Sequence, residues 1–112
     1  MSKYQLIISN EADQDLGRLY VDGFKRWGEE QADKYYDGLL AHFDTFCENP
    51  FLYRAIDEIR EGYRRSVFGK HAIYYRINNN TVEVMGLVKH ENRFSKNPFS
   101  WLLAFNFFSY RQ

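Results

Sequence analysis

Glu61-Gly62-Tyr63-Arg64-Arg65-Ser66-Val67-Phe68-Gly69-Lys70-His71-Ala72-Ile73-Tyr74-Tyr75-Arg76-Ile77 is the stretch that decides how this chain is read. Residues 63–68 and 71–77 are rich in aromatic and β-branched residues, and Gly69-Lys70 between them is a hairpin turn. In the second run Ile73, Tyr75 and Ile77 fall on one face and Ala72, Tyr74 and Arg76 on the other. Asn78-Asn79-Asn80 is turn chemistry, because Asn tolerates positive φ. A third strand follows over residues 81–88, with Val82, Val84, Gly86 and Val88 expected to share a face.

Upstream, Tyr4, Leu6 and Ile8 alternate with Lys3, Gln5 and Ile7, the pattern of a short strand. Ser9 or Asn10 can cap a helix, and Glu11, Asp13 and Asp15 suit its positive end. Ala12, Leu16, Leu19, Tyr20, Phe24 and Trp27 then recur at steps of three and four and form one helical face. Gly28 ends that helix. Ala32, Tyr35, Tyr36, Leu39, Leu40, Phe43, Phe46 and Cys47 carry the same rhythm through a second helix, which Asn49-Pro50 stops. The short link predicts an antiparallel helix hairpin. Residues 51–62 read as a connection with a turn of helix around Ala55 to Ile59. The expected fold class is α+β, in the order β-α-α-β-β-β, with the helix hairpin packed on an antiparallel three-stranded meander.

The 112 residues make one domain, large enough to bury roughly 65% of its unfolded surface. Aromatic residues reach 19%, more than a core of this size requires. Fifteen basic and fifteen acidic residues cancel, but unevenly. Residues 1–50 hold ten acids and five bases, net −5; residues 51–112 hold ten bases and five acids, net +5. One face suits an acidic partner or phosphate, or the asymmetry is ordinary variation between solvated faces. The single cysteine, Cys47, excludes an internal disulfide and lies on the apolar stripe of a helix. The opening residues do not read as a signal peptide, and no stretch reaches the ~18–20 apolar residues a membrane span needs. A reducing cytoplasm is the expected setting.

Residues 94–112 are unusual. Asn97-Pro98 can start a helix, and Phe99, Trp101, Leu102, Leu103, Phe105, Phe107, Phe108 and Tyr110 would then cover nearly every direction around its axis. Such a segment packs on its own domain, on a second copy to form a homodimer or on another partner, or at a membrane surface.

A nuclease would need a base, an acid and cations around the phosphate. Candidates are Glu58 or Glu61 as base, Arg64, Arg65 and Arg76 as clamps, and His90 as acid. No diagnostic spacing unites them. Arg64 and Arg65 are neighbours on a strand and so face opposite ways. Arg65 and Arg76 also read as a solvated strand face pairing with Glu83, and His71 as a partly exposed residue after a turn. No metal cluster, phosphate-binding glycine loop or nucleophilic triad is present. The residues themselves favour a compact binding protein with no catalytic residue and no cofactor.

Six pieces in order resemble the ParE/RelE superfamily of type II toxin–antitoxin toxins across about Tyr4 to Arg93. They are Ser9-x-x-Ala12-x-x-Asp15-Leu16, Trp27-Gly28-x-x-Gln31-Ala32, Glu48-Asn49-Pro50, Ile59-Arg60-Glu61-Gly62-Tyr63-Arg64, Gly69-x-His71-x-Ile73-x-Tyr75-Arg76, and Val84-x-x-Leu87-Val88-x-His90. The Gly-x-His-x-Ile-x-Tyr strand is closer to ParE than to the RelE-like ribonucleases. Those usually place an arginine where this chain has Ala72 and a tyrosine where it has Glu91. The resemblance implies a non-catalytic poison of DNA gyrase, neutralised by a cognate antitoxin whose disordered segment folds around it. A RelE-like mRNA endonuclease, or a member without toxicity, is the alternative. On this likeness Arg64, Arg65, Tyr74, Arg76, Leu40 and Phe43 are expected at the antitoxin contact, and Trp27, Lys89, His90 and Arg93 at the target contact. No metal, no sequence-specific nucleic-acid binding and no membrane span are expected. Residues 1–93 form the toxin domain of this reading. ParE chains usually stop soon after the last strand, so residues 94–112 are an extension.

Overall fold

The computed structural model describes residues 4–89. Strand β1 (Gln5–Ile8) is followed by helices α1 (Asn10–Trp27) and α2 (Glu29–Glu48), then β2 (Arg54–Ala55), β3 (Tyr63–Phe68), β4 (His71–Asn78) and β5 (Thr81–Lys89). One sheet holds the strands in the order β1-β5-β4-β3-β2. The β2–β3, β3–β4 and β4–β5 pairs are antiparallel, and β1 lies parallel to β5. The α+β class expected from sequence, with a strand, a helix hairpin and then an antiparallel meander, is observed, with one further short strand, β2, ahead of the meander.

The start of α1 is fixed from two directions. Ser9 caps it, its Oγ accepting the Ala12 N–H at 3.0 Å, while Glu11 and Asp13 sit in the positive first turn. The Ser9 N–H donates to the Val84 carbonyl at 3.0 Å, and its hydroxyl to the Met85 carbonyl at 3.2 Å. The helix therefore starts on top of β5. At its other end Gly28 turns the chain with φ +91°, a conformation that favours glycine.

The core lies between the hairpin and one face of the sheet. Leu16, Leu39, Phe43 and Phe46 from the helices meet Ile73, Tyr75, Val82, Val84 and Leu87 from the strands. The Phe46 and Tyr75 rings stack at 4.1 Å, and the Tyr75 hydroxyl donates to the Pro50 carbonyl at 2.7 Å. Burial pushes that phenol up to about 12. The opposite face carries a smaller cluster of Ile56, Tyr63, Ala72, Tyr74 and Met85.

Three local expectations need correction. Arg54–Ala55 is a strand paired with Arg65 and Arg64, so no helical turn begins at Ala55. The turn starts one residue later, where Ile56 accepts from the Ile59 and Arg60 N–H groups. The register of β4 and β5 shifts between Tyr74 and Tyr75: Tyr74 faces Gly86 and Tyr75 faces Val84, leaving Met85 as the extra residue. Beyond that bulge the alternation inverts, so Leu87 joins Val82 and Val84 in the main core while Val88 goes to the opposite cluster. Finally, the apolar stripe of α1 is not buried along its whole length. Ala12 and Leu16 are buried, yet Phe24 and Trp27 are exposed.

Candidate functional site

The residues expected to matter separate into two places, plus a part of the chain not described. The first place is the β2–β3 edge and the outer sheet face. Arg65 and Arg76 lie on the same face, and Arg64 on the other, as the strand alternation requires. The Arg65 Nε donates to the Tyr74 hydroxyl at 3.3 Å. Arg76 pairs with Glu83 and lies over the Tyr63 ring at 6.0 Å. Arg64 reaches the edge, donating to the Tyr53 carbonyl at 2.7 Å, with its guanidinium over the exposed Phe51 ring at 5.1 Å. Two antitoxin candidates do not reach the surface. Phe43 is fully buried because its stripe on α2 faces the sheet, and Tyr74 is fully buried on the outer face. Burial raises the Tyr74 phenol, an effect that Arg65 partly offsets. Leu40 is half-buried against the core.

The second place is a cavity of about 440 Å³ between the end of the helix hairpin and the β3–β4 turn. Trp27 and Lys89, expected separately as target contacts, both line it. His90 and Arg93 fall outside the described residues, as do residues 94–112.

Tyr35 builds one wall of this cavity. Its hydroxyl donates to the Phe68 carbonyl at 3.0 Å and accepts from the Lys70 N–H at 3.1 Å. It also meets the His71 Nδ1 at 2.7 Å. A phenol has one hydrogen, so satisfying all three contacts requires Nδ1–H to donate to Tyr35, leaving Nε2 as the open ring nitrogen. Burial holds the His71 imidazole below its usual range, Lys89 adds to that, and Asp22 opposes it. The turn fits under Tyr35 only because position 69 is glycine. Its φ is +55°, and a Cβ there would stand 2.7 Å from the Tyr35 ring. Sequence periodicity places Tyr35 on an apolar stripe but carries no sign of this role.

A second buried contact also escaped the sequence. The His42 Nε2 lies 2.8 Å from the Ser66 hydroxyl, and the His42 ring packs against Phe46, Tyr53 and Phe68. Burial lowers its proton affinity. Ser66 is almost completely buried, which makes this a structural pair rather than an accessible nucleophile. Of the nuclease candidates, Glu58 is paired with Arg54 at the surface, Arg64 faces away from Arg65, and Arg76 is held by Glu83. Among the described residues no group of His, Cys, Asp and Glu is placed to hold a metal ion. Among them, too, no helix is long and apolar enough to cross a membrane.

This arrangement of strand, helix hairpin and antiparallel meander coincides with a known family. A family model described as the ParE toxin of the type II toxin–antitoxin system parDE matches residues 6–94. The chain belongs to the ParE toxin family. Toxin ParE1 of Mycobacterium tuberculosis (strain H37Rv) is 35% identical over 80 residues, covering 70% of this chain and 82% of that protein. Toxin ParE1 of Caulobacter vibrioides is 35% identical over 77 residues, covering 69% and 78%. Among solved structures, the chromosomal ParDE toxin–antitoxin system from P. aeruginosa superposes with a TM-score of 0.71 at 14% identity, covering 80% of this chain and 98% of that one. The toxin–antitoxin complex RelBE2 from M. tuberculosis gives 0.57 at 16% identity, covering 80% and 94%. At those identities the two structures speak for the fold alone. The ParE match takes in all six sequence pieces and ends at residue 94.

Proposed function

We propose that this ParE-family chain is a non-catalytic poison of DNA gyrase in the bacterial cytoplasm, held inactive by a cognate antitoxin. The observation that carries the reading is the scatter of its cations. Arg64, Arg65 and Arg76 are each engaged with a different group, and Arg64 lies on the face opposite the other two. A site that cuts RNA needs such groups aimed at one phosphate. Ala72 supports the reading as well. It is 1% exposed within the outer cluster, where the ribonuclease branch would place a guanidinium.

The antitoxin contact is assigned to the β2–β3 edge and the adjoining part of α2. Phe51 and Leu52 are 60% and 62% exposed, and Arg64 lies over Phe51, giving apolar anchors beside a positive charge. An acidic, amphipathic segment that orders on binding matches that surface, with Arg64, Arg65, Arg76 and Leu40 as contacts. The target contact is assigned to Trp27 at the hairpin tip and Lys89 at the end of β5, which line the same cavity.

The test is to induce the chain in bacteria lacking the antitoxin and follow growth, a DNA-damage reporter and protein synthesis together. Damage signalling before any fall in translation is the expected result. Translation arrest with intact chromosomes would replace the reading with an mRNA endonuclease, and normal growth with a non-toxic family member.

A further inference from the structure

The cavity between the hairpin end and the β3–β4 turn has two chemically different walls. One comes from the sheet. His71 and Lys89 are direct register partners on β4 and β5, so their side chains stand side by side on the helix-facing surface. Lys70 precedes His71 in the same wall. The other wall is the hairpin tip. Trp27 is 68% exposed there, and the Tyr20 ring, Leu19 and Ala32 continue the apolar surface. Asp22 and Gln31 add hydrogen-bonding groups, with Asp22 paired to Arg26 at 3.1 Å. With His71 neutral, Arg26, Lys70 and Lys89 against Asp22 give a net lining charge of +2.

We propose that this cavity binds a nucleoside phosphate, with the base against Trp27 and the phosphate on Lys70, His71 and Lys89. This goes beyond gyrase poisoning but shares Trp27 and Lys89 with the target contact proposed above, so a bound nucleoside phosphate and the target would compete for this surface. About 440 Å³ lies within the roughly 300–1,000 Å³ typical of small-molecule sites. A purely apolar ligand would make no use of the two exposed ammonium groups at the rim. An extended peptide would have to pair with β5 beyond Val84, where β1 no longer covers it. It could not pair with β4, because His71 is paired with Phe68 on one side and Lys89 on the other. The peptide arm of the experiment below tests that occupant. A planar ring carrying an anion satisfies both walls, since an exposed indole is a stacking platform for any base. Oxygen atoms of a phosphate accept from ammonium groups and from a protonated imidazole. His71 is set up to gain a proton when such an anion arrives, because its Nδ1 is already fixed by Tyr35 and its Nε2 has no hydrogen-bond partner among the described residues.

The experiment uses the full chain with adenosine 5′-monophosphate, adenosine and inorganic phosphate, by calorimetry and tryptophan fluorescence. The monophosphate should bind one to one and quench Trp27, with adenosine and inorganic phosphate each at least about tenfold weaker. Lys70→Ala and Lys89→Ala should each weaken binding about five- to tenfold without lowering the unfolding temperature. Trp27→Leu should weaken binding and remove the quench. Bound monophosphate should also raise the titration midpoint of His71 in NMR. No binding at ligand concentrations of about 5 mM would overturn the proposal, as would binding that the three variants leave unchanged. So would an acidic peptide that protects these residues while the monophosphate fails to displace it.

Discussion

Replacing Asp15 by alanine should unpin the first helix from the sheet. Asp15 is 9% exposed on α1, and its Oδ2 accepts the Leu87 N–H at 3.0 Å, 72 positions along the chain. That N–H lies just past the bulge at Met85, where the β4–β5 register has shifted. A hydrogen bond to a charged acceptor contributes about 1.5–3 kcal/mol, and a buried donor left unmade costs about 1–3 kcal/mol. Asp15→Ala should therefore destabilise by about 2–3 kcal/mol, lowering Tm by roughly 10–20 °C for a domain of this size. Asp15→Asn keeps a carbonyl acceptor and should cost about 1 kcal/mol. Arg18 also bonds Asp15, but its side chain is 64% exposed, so Arg18→Ala should cost under about 1 kcal/mol. Urea and thermal unfolding of the three variants measure the order. An Asp15→Ala protein as stable as the parent, or an Arg18→Ala protein just as damaged, would refute the pinning role.

Gly69→Ala should destabilise by about 1–3 kcal/mol in thermal unfolding, from a left-handed φ and a methyl pressed on the Tyr35 ring. Tyr75→Phe should cost about 1 kcal/mol by losing the bond to Pro50 while keeping the ring stack; Tyr75→Ala should cost about 3–5 kcal/mol in urea melts. His42 and His71 both hold protons more weakly folded than unfolded. His42 is faced by Ser66, Phe46, Tyr53 and Phe68, and His71 by Tyr35, Lys89 and Asp22. Their contribution is complete above about pH 6.5, the unfolded value, and is lost as pH falls toward the lower folded values. A pH series of urea midpoints should show this decline, flattened in a double His42→Gln, His71→Gln variant.

Much of the fold was legible because it is written in local periodicity. The stripe through Leu39, Phe43 and Phe46 marks the buried side of α2 before any partner is known, and Gly69-Lys70 announces the β3–β4 turn. The opposite orientation of Arg64 and Arg65 follows from strand alternation alone, and the Arg76–Glu83 pair from alternation together with the short Asn78-Asn79-Asn80 turn that sets the β4–β5 register. What stayed hidden depends on contacts distant in sequence. Arg54–Ala55 is a strand only because β3 lies beside it. The bulge at Met85 is held by Ser9 and Asp15, which no window around residue 85 contains. The site was legible residue by residue but not as a place. Trp27 looks like the last residue of a core stripe, yet it is exposed and lines the same cavity as Lys89. Tyr35 looks apolar by spacing, while its hydroxyl organises the turn at residues 68–71.

Purified gyrase on supercoiled plasmid, with and without the purified chain, tests the central idea most directly. Linear DNA should accumulate with the chain present, and the matching antitoxin should suppress it. Unbroken plasmid at saturating protein, alongside cleavage of ribosome-bound mRNA by the same preparation, would contradict a poison that acts by grip alone.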